Sequence, residues 1–145
     1  MTTTLPQAII IDVDGTVALM GDRDPYDWAR VHEDTPNGPV IQVVRTVVAS
    51  GCTPIVVSGR LARCEDATRR WLAEHVFHGG LSDDFELHMR PVGDGRPDAE
   101  LKAEIYATII APRYSVLGVF DDRDSVVAMW RSLGLTVFQV NYGTF

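Results

Sequence analysis

The chain has 145 residues, of which 46% are hydrophobic and 23% are charged, and both proportions are ordinary for a globular protein. At this length we expect one domain over 1–145, large enough to bury a hydrophobic core. The net charge of −7 argues against a protein that coats nucleic acid, because such proteins gain affinity by neutralising many phosphates. No apolar run approaches the roughly 20 residues that span a bilayer, so we expect no membrane segment.

The amino-terminal segment and the two cysteines both favour a reducing compartment. The amino-terminal MTTTLPQA has no basic segment leading into an apolar stretch, so we predict no secretory signal. Cys52 and Cys64 are the two cysteines, and they lack the CxxC spacing. Reduced thiols are therefore favoured over a disulfide framework, and the predicted location is cytoplasmic.

Strand-like and helical patterns alternate along the chain. In chain order the predicted elements are a strand over 8–12, a helix over 39–49, a strand over 53–57, a helix over 61–74, a strand over 85–89, a helix over 98–110, a strand over 115–120, a helix over 125–133 and a strand over 135–140. The segment 21–37 has the least regular pattern. This alternation predicts a three-layer α/β/α, Rossmann-like fold with a mostly parallel five-stranded sheet.

Polar clusters follow three of the predicted strands, at the point where each strand ends. They are Asp12-Val13-Asp14, Ser58-Gly59-Arg60 and Asp121-Asp122. The carboxyl ends of parallel strands meet at one edge of the sheet, where ligands of open α/β sheets bind. One such cluster can be a simple turn, but four carboxylates at one edge should repel strongly unless they share a cation. Oxygen ligands without a Cys/His set indicate Mg²⁺.

These residue types are suited to phosphoryl transfer. Asp12 can attack phosphorus and form an aspartyl-phosphate. Asp14, two residues on, can protonate the leaving oxygen and then activate water. Lys102 is the single lysine among 13 basic residues, and with Mg²⁺ it can neutralise phosphoryl oxygens. The hydroxyl of Ser58 can donate a hydrogen bond to one of them.

Four motifs in this order resemble those of the haloacid-dehalogenase-like (HAD) phosphotransferase superfamily: DVDGT, VVSGR, the lysine of the third motif and FDDR. A longer set covers nearly the whole chain: DVDGTVALMGDRDPYD, IVVSGR, TRRWL, RPDAELKAEIY and FDDRDSVVAMWRSLG. This set is similar to the 3′-phosphatase domain of phage-type polynucleotide kinase/3′-phosphatases. The resemblance implies a HAD-like fold and an enzyme that removes 3′-phosphates from DNA or RNA ends during end healing.

The resemblance also implies a role for each motif residue. Asp12 is the nucleophile and Asp14 the general acid–base, and the catalytic set is completed by Ser58, Lys102 and Asp121. The metal is held by Asp12, by the backbone carbonyl of Asp14 and by one motif-four acid, which register indicates to be Asp122. The predicted substrate-binding residues are Thr16, Arg23, Gly59, Arg60, Arg90 and Asp98.

Several polar and aromatic residues have a second interpretation. Asp98 can be the N-cap of its helix as well as a site residue. Arg123 directly follows the acid pair and can be its salt-bridge partner. Tyr26 or Trp28 can stack a base near the site, although tryptophan is more often a core residue. We interpret Arg63, Arg69 and Arg70 as a solvated helix face.

The spacing of the motifs leaves no room for a sizeable cap domain. The interval 16–53 must also hold a helix, and the interval 60–98 must hold a helix and a strand. An uncapped site suits a substrate whose bulk stays outside, such as a nucleic-acid end. The chain lacks the Walker loop GxxxxGK[ST], so we expect no 5′-kinase activity, and a separate kinase or ligase is a candidate partner.

The leading hypothesis is a Mg²⁺-dependent polynucleotide 3′-phosphatase. One alternative keeps the chemistry and takes small substrates such as mononucleotides or sugar phosphates. Another is a HAD-like binding module without catalysis, against which the complete motif set argues. The sequence leaves the choice of DNA or RNA and the oligomeric state open, and the cytoplasm would be that of the host if the chain is phage-encoded.

Overall fold

The computed structural model describes residues 4–81 and 85–145. Its strands are β1 Gln7–Ile11, β2 Ala18–Leu19, β3 Thr35–Pro36, β4 Thr53–Leu61, β5 Glu86–Arg90, β6 Ser115–Asp121 and β7 Val137–Gln139. Its α-helices are α1 Gly38–Ala49, α2 Glu65–His75, α3 Asp98–Ile105 and α4 Asp124–Ser132. Short 3-10 helices span Trp28–Glu33 and Ala62–Cys64, and a π-helical turn, Tyr106–Ile110, continues α3.

Five strands form one parallel sheet in the order β5-β4-β1-β6-β7. The central strand is β1, and its last residue, Ile11, pairs with Val56 of β4 and with Phe120 of β6. Sequence-distant strands therefore fix the residue that follows β1 from both sides. The parallel five-stranded sheet predicted from the sequence is confirmed.

Helices cover both faces of this sheet. Alternate residues of β1 point to opposite faces, as the period of a strand requires. Ile9 and Ile11 belong to one core cluster, which contains residues of α1 and α2. Ala8 and Ile10 belong to the second cluster, which contains residues of α3 and α4. The three-layer α/β/α arrangement is thereby confirmed, with β1 buried on both faces.

The second strand of the sheet is longer than its apolar pattern indicates. The prediction ended it at Val57, whereas β4 continues to Leu61. Val57 pairs with His88 and Leu61 pairs with Arg90, so β4 has two more residues than β5 across this stretch. The resulting irregularity lies at Ser58-Gly59-Arg60, which therefore sit in a distorted strand and not beyond its end.

Between β1 and α1 the chain makes a short excursion that its sequence pattern does not predict. There β2 and β3 pair antiparallel, with Ala18 opposite Pro36, and the 3-10 helix of 28–33 lies between them. The predicted helix over 61–74 begins later, at Glu65, because Leu61 ends β4 and Ala62–Cys64 form a 3-10 turn. The last turn of the predicted helix over 98–110 is π-helical, with the N–H of Ala111 donating to the carbonyl of Tyr106 at 2.8 Å.

Within 4–81 and 85–145, no helix is both long and apolar enough to cross a membrane. The first three residues of the segment used to predict the absence of a secretory signal lie outside the described residues. Cys52 and Cys64 are both free and buried.

Candidate active site

The acid that follows the central strand is buried and held in one orientation. Asp12 comes directly after β1 and is 6% exposed, and its N–H donates to the carbonyl of Phe120 at 2.9 Å. Its Oδ1 accepts a hydrogen bond from Nζ of Lys102 at 2.8 Å. Its Oδ2 accepts one from the hydroxyl of Thr16 at 2.9 Å. A carboxylate fixed in this way meets the positional requirement for a nucleophile.

The ammonium of Lys102 joins the carboxyl ends of β1 and β6. Lys102 lies on α3 and is buried, and its Nζ also donates to Oδ2 of Asp121 at 3.2 Å. The indole N–H of Trp130 donates to the same oxygen at 3.2 Å, and Oδ1 of Asp121 accepts the N–H of Asp122 at 2.9 Å. Both oxygens of Asp121 are thus engaged, so this carboxylate positions Lys102 and the turn that begins at Asp122.

The carboxylate of Asp122 lies against the backbone of the turn after β1. Gly15 has a φ of +81°, and a Cβ built there would lie 2.7 Å from Cγ of Asp122. Carboxylate oxygens of Asp12, Asp121 and Asp122 come within 4.8 Å of one another. Glycine at residue 15 is therefore required both by its backbone conformation and by the close approach of Asp122.

The three carboxylates outnumber the single ammonium among them. Burial and the neighbouring Asp121 raise the pKa of Asp12 well above its usual range, against the opposing effect of Lys102. Burial and Asp121 likewise raise the pKa of Asp122 to about 6. Burial lowers the pKa of Lys102, but Asp12 and Asp121 outweigh it and leave that pKa raised. The cluster consequently favours bound positive charge.

These residues fit a divalent cation. The donors are carboxylate oxygens, which are the ligands that Mg²⁺ prefers. The carboxylate of Asp121 is engaged by Lys102, Trp130 and the N–H of Asp122. Burial and Asp121 raise the pKa of Asp122, so a bound cation would stabilise its charged form. This buried acid cluster is therefore able to bind such an ion.

The second acid of the first motif faces arginines instead of the acid cluster. The carboxylate of Asp14 accepts hydrogen bonds from Nε and Nη2 of Arg60, the shortest at 2.7 Å. Nη2 of Arg23 lies 3.5 Å from the same carboxylate. The side chain of Asp14 is 29% exposed, whereas those of Arg23 and Arg60 are buried. Asp14 is therefore positioned at the wall of the site with access to solvent.

A buried carboxylate that sequence reasoning missed holds both arginines. Asp34 accepts two hydrogen bonds from Arg23, at 2.8 and 3.0 Å, and one from Arg60 at 2.6 Å. Its backbone carbonyl accepts the indole N–H of Trp71 at 3.0 Å. Asp34 lies in the irregular segment 21–37, where no spacing to a motif signals its role. It positions the pair that contacts Asp14.

Asp98 is not the N-cap of its helix. It is the first residue of α3, after Pro97 at the N-cap position, and no side chain caps this helix. Its carboxylate is bonded to Nη2 of Arg90 and accepts from Nη1 of Arg123 at 2.8 Å. The prediction that Arg123 pairs with Asp121 and Asp122 through its side chain is therefore wrong, because its guanidinium reaches across to α3.

The remaining predicted site residues lie close to this network. Gly59 packs against the carboxylate of Asp98, since a Cβ on Gly59 would lie 2.6 Å from its Oδ1. Nε of Arg90 donates to the carbonyl of Gly59 at 3.1 Å. The hydroxyl oxygen of Ser58 accepts the N–H of Arg60 at 3.1 Å, and Ser58 is buried. Ser58 and Thr16 are thus buried against site residues, Ser58 against Arg60 and Thr16 against Asp12.

An open cleft of about 730 Å³ lies over these groups. Its floor includes Asp12, Asp14, Lys102 and Asp122. One rim is formed by Met20, Pro25, Tyr26 and Trp28, and the other includes Arg90, Asp94, Gly95, Arg96 and Arg123. The excursion between β1 and α1 supplies the first rim, and in the described part of the chain no larger cap domain covers the cleft.

The parallel sheet and the acid cluster at its carboxyl edge are those of a HAD-like phosphatase. The chain belongs to the family described as the polynucleotide kinase PNKP phosphatase domain, whose profile matches residues 6–145. The family resemblance predicted from the motifs is therefore confirmed.

Two kinds of relative are similar to this chain. A protein of Autographa californica nuclear polyhedrosis virus, described as a bifunctional polynucleotide kinase/RNA ligase, is 38% identical over 138 residues. The match covers 93% of this chain and 19% of the viral protein. A chain in a structure of the Pnkp1/Rnl/Hen1 RNA repair complex is 39% identical, with a TM-score of 0.88 over 97% of this chain and 44% of that one. A second structure of the complex gives 39% identity and a TM-score of 0.89 over 99% and 49%.

A class C acid phosphatase from Bacillus anthracis, solved with tungstate bound, shares the fold at 18% identity and a TM-score of 0.59. That match covers 86% of this chain and 54% of the acid phosphatase. The chain thus spans about a fifth of the viral relative and less than half of the chains in the repair complexes.

Proposed function

We propose that this chain is a Mg²⁺-dependent polynucleotide 3′-phosphatase that forms an aspartyl-phosphate on Asp12. One observation carries the proposal: Asp12 is buried at the end of the central strand, hydrogen-bonded to Lys102, at the floor of an open cleft. Membership of the PNKP phosphatase-domain family supports the substrate class.

In the proposed first step an oxygen of Asp12 bonds to phosphorus while the bond from phosphorus to the 3′-oxygen breaks. Asp14 gives a proton to that oxygen, which leaves as the 3′-hydroxyl. In the second step Asp14 takes a proton from water, the water oxygen bonds to phosphorus, and the bond to Asp12 breaks. Inorganic phosphate and the free Asp12 carboxylate result.

Charge on the phosphoryl oxygens is balanced by groups at the floor. Lys102 supplies a fixed ammonium whose orientation is set by Asp12 and Asp121. Mg²⁺ would be held by the carboxylates of Asp12 and Asp122 and by the backbone carbonyl of Asp14, and it would neutralise phosphoryl oxygens. Ser58 is the proposed hydroxyl donor to the phosphate.

The predicted substrate contacts divide into two groups. Thr16 holds the carboxylate of Asp12 in place through a hydrogen bond. Gly59 and Asp98 hold each other in place by packing. Arg23 and Arg60 contact Asp14, and Arg90 contacts Asp98. We propose that these arginines act on the substrate chiefly by fixing the two carboxylates.

The proteins and complexes in which similar chains occur support a role for this chain in nucleic-acid end repair. Similar chains occur in an RNA repair complex and in a protein described as a kinase/RNA ligase. We propose that a kinase and a ligase act on the same ends as this chain, on the same polypeptide or another. Buried free cysteines fit the reducing cytoplasm expected from the sequence.

The test is phosphate release with Mg²⁺ from 3′-phosphorylated RNA, 3′-phosphorylated DNA, and free 3′- and 5′-mononucleotides. We expect the wild type to act on a 3′-phosphorylated polynucleotide, and Asp12→Asn to lose activity by roughly 1,000-fold or more. Asp66→Asn, the same chemical change at an exposed position of α2, should keep it.

Three outcomes would contradict the proposal in different ways. Absence of release from both polynucleotides would exclude the activity, and equal release by Asp12→Asn would exclude this nucleophile. A clear preference for 5′-mononucleotides would favour the small-molecule phosphatase.

A further inference from the structure

We propose that Tyr26 and Trp28 form a stacking site for the nucleobase of the nucleotide that carries the 3′-phosphate. The inference rests on the proposed function and adds the nucleobase to the parts of the substrate that the site contacts. The ligand chemistry is a nucleobase attached to a 3′-phosphate. A polynucleotide end and a free nucleoside 3′-phosphate both supply it, and the experiment below separates the two.

The two rings stand at the rim of the cleft, where a substrate can reach them. Tyr26 is 81% exposed, and Trp28 is half-buried. Both line the cleft whose floor contains Asp12 and Lys102. Their ring centroids lie 6.4 Å apart at an interplanar angle of 87°, so one ring supports the other edge to face. A solvent-facing aromatic ring beside a phosphate site is a surface on which a base can stack.

The loop that carries the rings is tied to the proposed catalytic groups. Nη1 of the buried Arg23 donates to the carbonyls of Asp24 at 3.3 Å and of Asp27 at 3.2 Å. The same guanidinium lies 3.5 Å from the carboxylate of Asp14. Tyr26 lies between the two carbonyls in the chain, so Arg23 ties the backbone on both sides of Tyr26 to the carboxylate of Asp14.

The loop is also ordered by its own hydrogen bonds. The N–H of Tyr26 donates to Oδ1 of Asp24 at 2.8 Å, and the N–H of Asp27 donates to the carbonyl of Asp24 at 2.9 Å. This turn orders the backbone that carries the Tyr26 ring, which is 81% exposed. Stacking of a ligand on the ring therefore costs little conformational entropy of the loop, because the loop is already ordered.

The positive charge of the cleft is already compensated by carboxylates. Four arginines line the cleft, and each has a carboxylate partner: Arg60 with Asp14 at 2.7 Å, Arg90 with Asp98, Arg96 with Asp94 at 2.7 Å, and Arg123 with Asp98 at 2.8 Å. The chain as a whole carries a net charge of −7. Phosphates beyond the reacting one consequently gain little from this surface, so apolar contacts such as those with the Tyr26 and Trp28 rings supply more of the affinity for the substrate.

The size of the cleft agrees with one nucleotide. Its volume of about 730 Å³ falls in the range of roughly 300–1,000 Å³ that is typical of small-molecule sites. The rim that carries Tyr26 and the floor that carries Asp12 belong to the same cleft. A phosphate at the floor and a base at the rim are thus compatible with a single bound terminal nucleotide.

The experiment measures the coupling between the terminal base and Tyr26. Two 3′-phosphorylated oligonucleotides are compared, one with an ordinary terminal nucleotide and one whose terminal residue is abasic. Binding is measured by fluorescence anisotropy with Asp12→Asn, which lacks the proposed nucleophile, and with Asp12→Asn combined with Tyr26→Ala. The ratio of the two dissociation constants is the base preference of each protein.

We expect Asp12→Asn to bind the ordinary oligonucleotide roughly 5- to 150-fold more tightly than the abasic one, the range expected for one stacked base. Adding Tyr26→Ala should remove most of that preference, and Tyr26→Phe should retain it because the ring is kept. Tyr142→Ala is the matched control, since Tyr142 is 93% exposed and does not line the cleft. A free nucleoside 3′-phosphate tested in parallel shows whether a single nucleotide is enough for binding at this site.

An unchanged base preference in the Tyr26→Ala protein would overturn the stacking site, as would equal binding of the ordinary and abasic oligonucleotides. Because binding is read without turnover, this result is separate from the test of the phosphatase reaction. A protein that binds with base preference and releases no phosphate would support the stacking site and contradict the proposed function.

Discussion

At the scale of single residues, the position of Asp122 depends on a missing side chain at residue 15. The φ of +81° at Gly15 is a conformation that other residues adopt with strain, and the Asp122 carboxylate occupies the space a Cβ would need. Asp122 in turn contributes to the acid cluster with Asp12. The glycine of the first motif therefore sets the geometry of the fourth.

We predict that Gly15→Ala loses activity that its loss of stability does not explain. Gly134→Ala is the matched control, because Gly134 has a φ of +84° and no atom within 4 Å of a built Cβ. Both variants should lose about 1–2 kcal/mol of stability from backbone strain. Only Gly15→Ala should also lose roughly 100-fold in phosphate release, because it displaces a site group. Thermal unfolding and phosphate release measured on both variants check this, and equal activities would contradict it.

The residues that motifs identify are those that stand inside a short segment of recognisable composition. Asp12, Asp14 and Gly15 are read from a single short segment. Asp34 could not be found in this way, because its partners Arg23 and Arg60 lie 11 and 26 residues away and the contact exists only once β4 pairs with β1.

At the scale of elements, the irregularity in β4 lets the helix that carries Lys102 approach the sheet. Gly59 lies in the irregular stretch, and Asp98 at the start of α3 packs directly on it. Asp98 also binds Arg90 from β5. The start of α3 is thereby fixed by two strands, and Lys102, one turn further on, is aimed at Asp12.

We predict that Gly59→Ala reduces activity by moving α3. Its Cβ would lie 2.6 Å from Oδ1 of Asp98, although its backbone conformation is an ordinary one. Gly38→Ala, in α1 with no atom within 4 Å of a built Cβ, is the control and should keep full activity. A displacement of about 1 Å at Lys102 can cost roughly 100-fold. The measurement is kcat with a saturating 3′-phosphorylated oligonucleotide, and unchanged kcat in Gly59→Ala would refute the prediction.

Periodic apolar patterns allowed the five strands of the parallel sheet and the four helices to be predicted, because each buries one or two regular faces. The excursion between β1 and α1 has no such pattern. Its two-residue strands are held by contacts from outside them, such as Asn37 to the backbone of Val17 at 2.8 Å and of Thr16 at 2.9 Å. Stability that comes from single hydrogen bonds leaves little trace in hydrophobic periodicity.

At the scale of the whole molecule, the acid cluster links stability to pH and to metal. Burial and Asp121 raise the pKa of Asp122 from an ordinary 3.8 to about 6 in the folded, metal-free protein. The contribution of this group to stability is therefore present at low pH and is lost as pH rises through about 6. A cation that binds the ionised carboxylates reverses that loss.

We predict that Mg²⁺ raises the melting temperature more at about pH 7.5 than at about pH 5, because protons compete for Asp122 at the lower pH. Asp122→Asn should show a small effect of Mg²⁺ at both pH values. Thermal unfolding with and without MgCl₂, at ionic strength matched with KCl, checks this. A larger effect of Mg²⁺ at the lower pH would contradict the prediction.

The burial of Lys102 has a further consequence for chemical labelling. It is the single lysine of this chain, it is 2% exposed, and it is held by Asp12 and Asp121. An amine-reactive reagent can acylate this side chain only when the protein opens enough to release it. Peptide mass spectrometry of the acylated protein would therefore report directly, at one residue, how often the centre of the molecule opens to solvent.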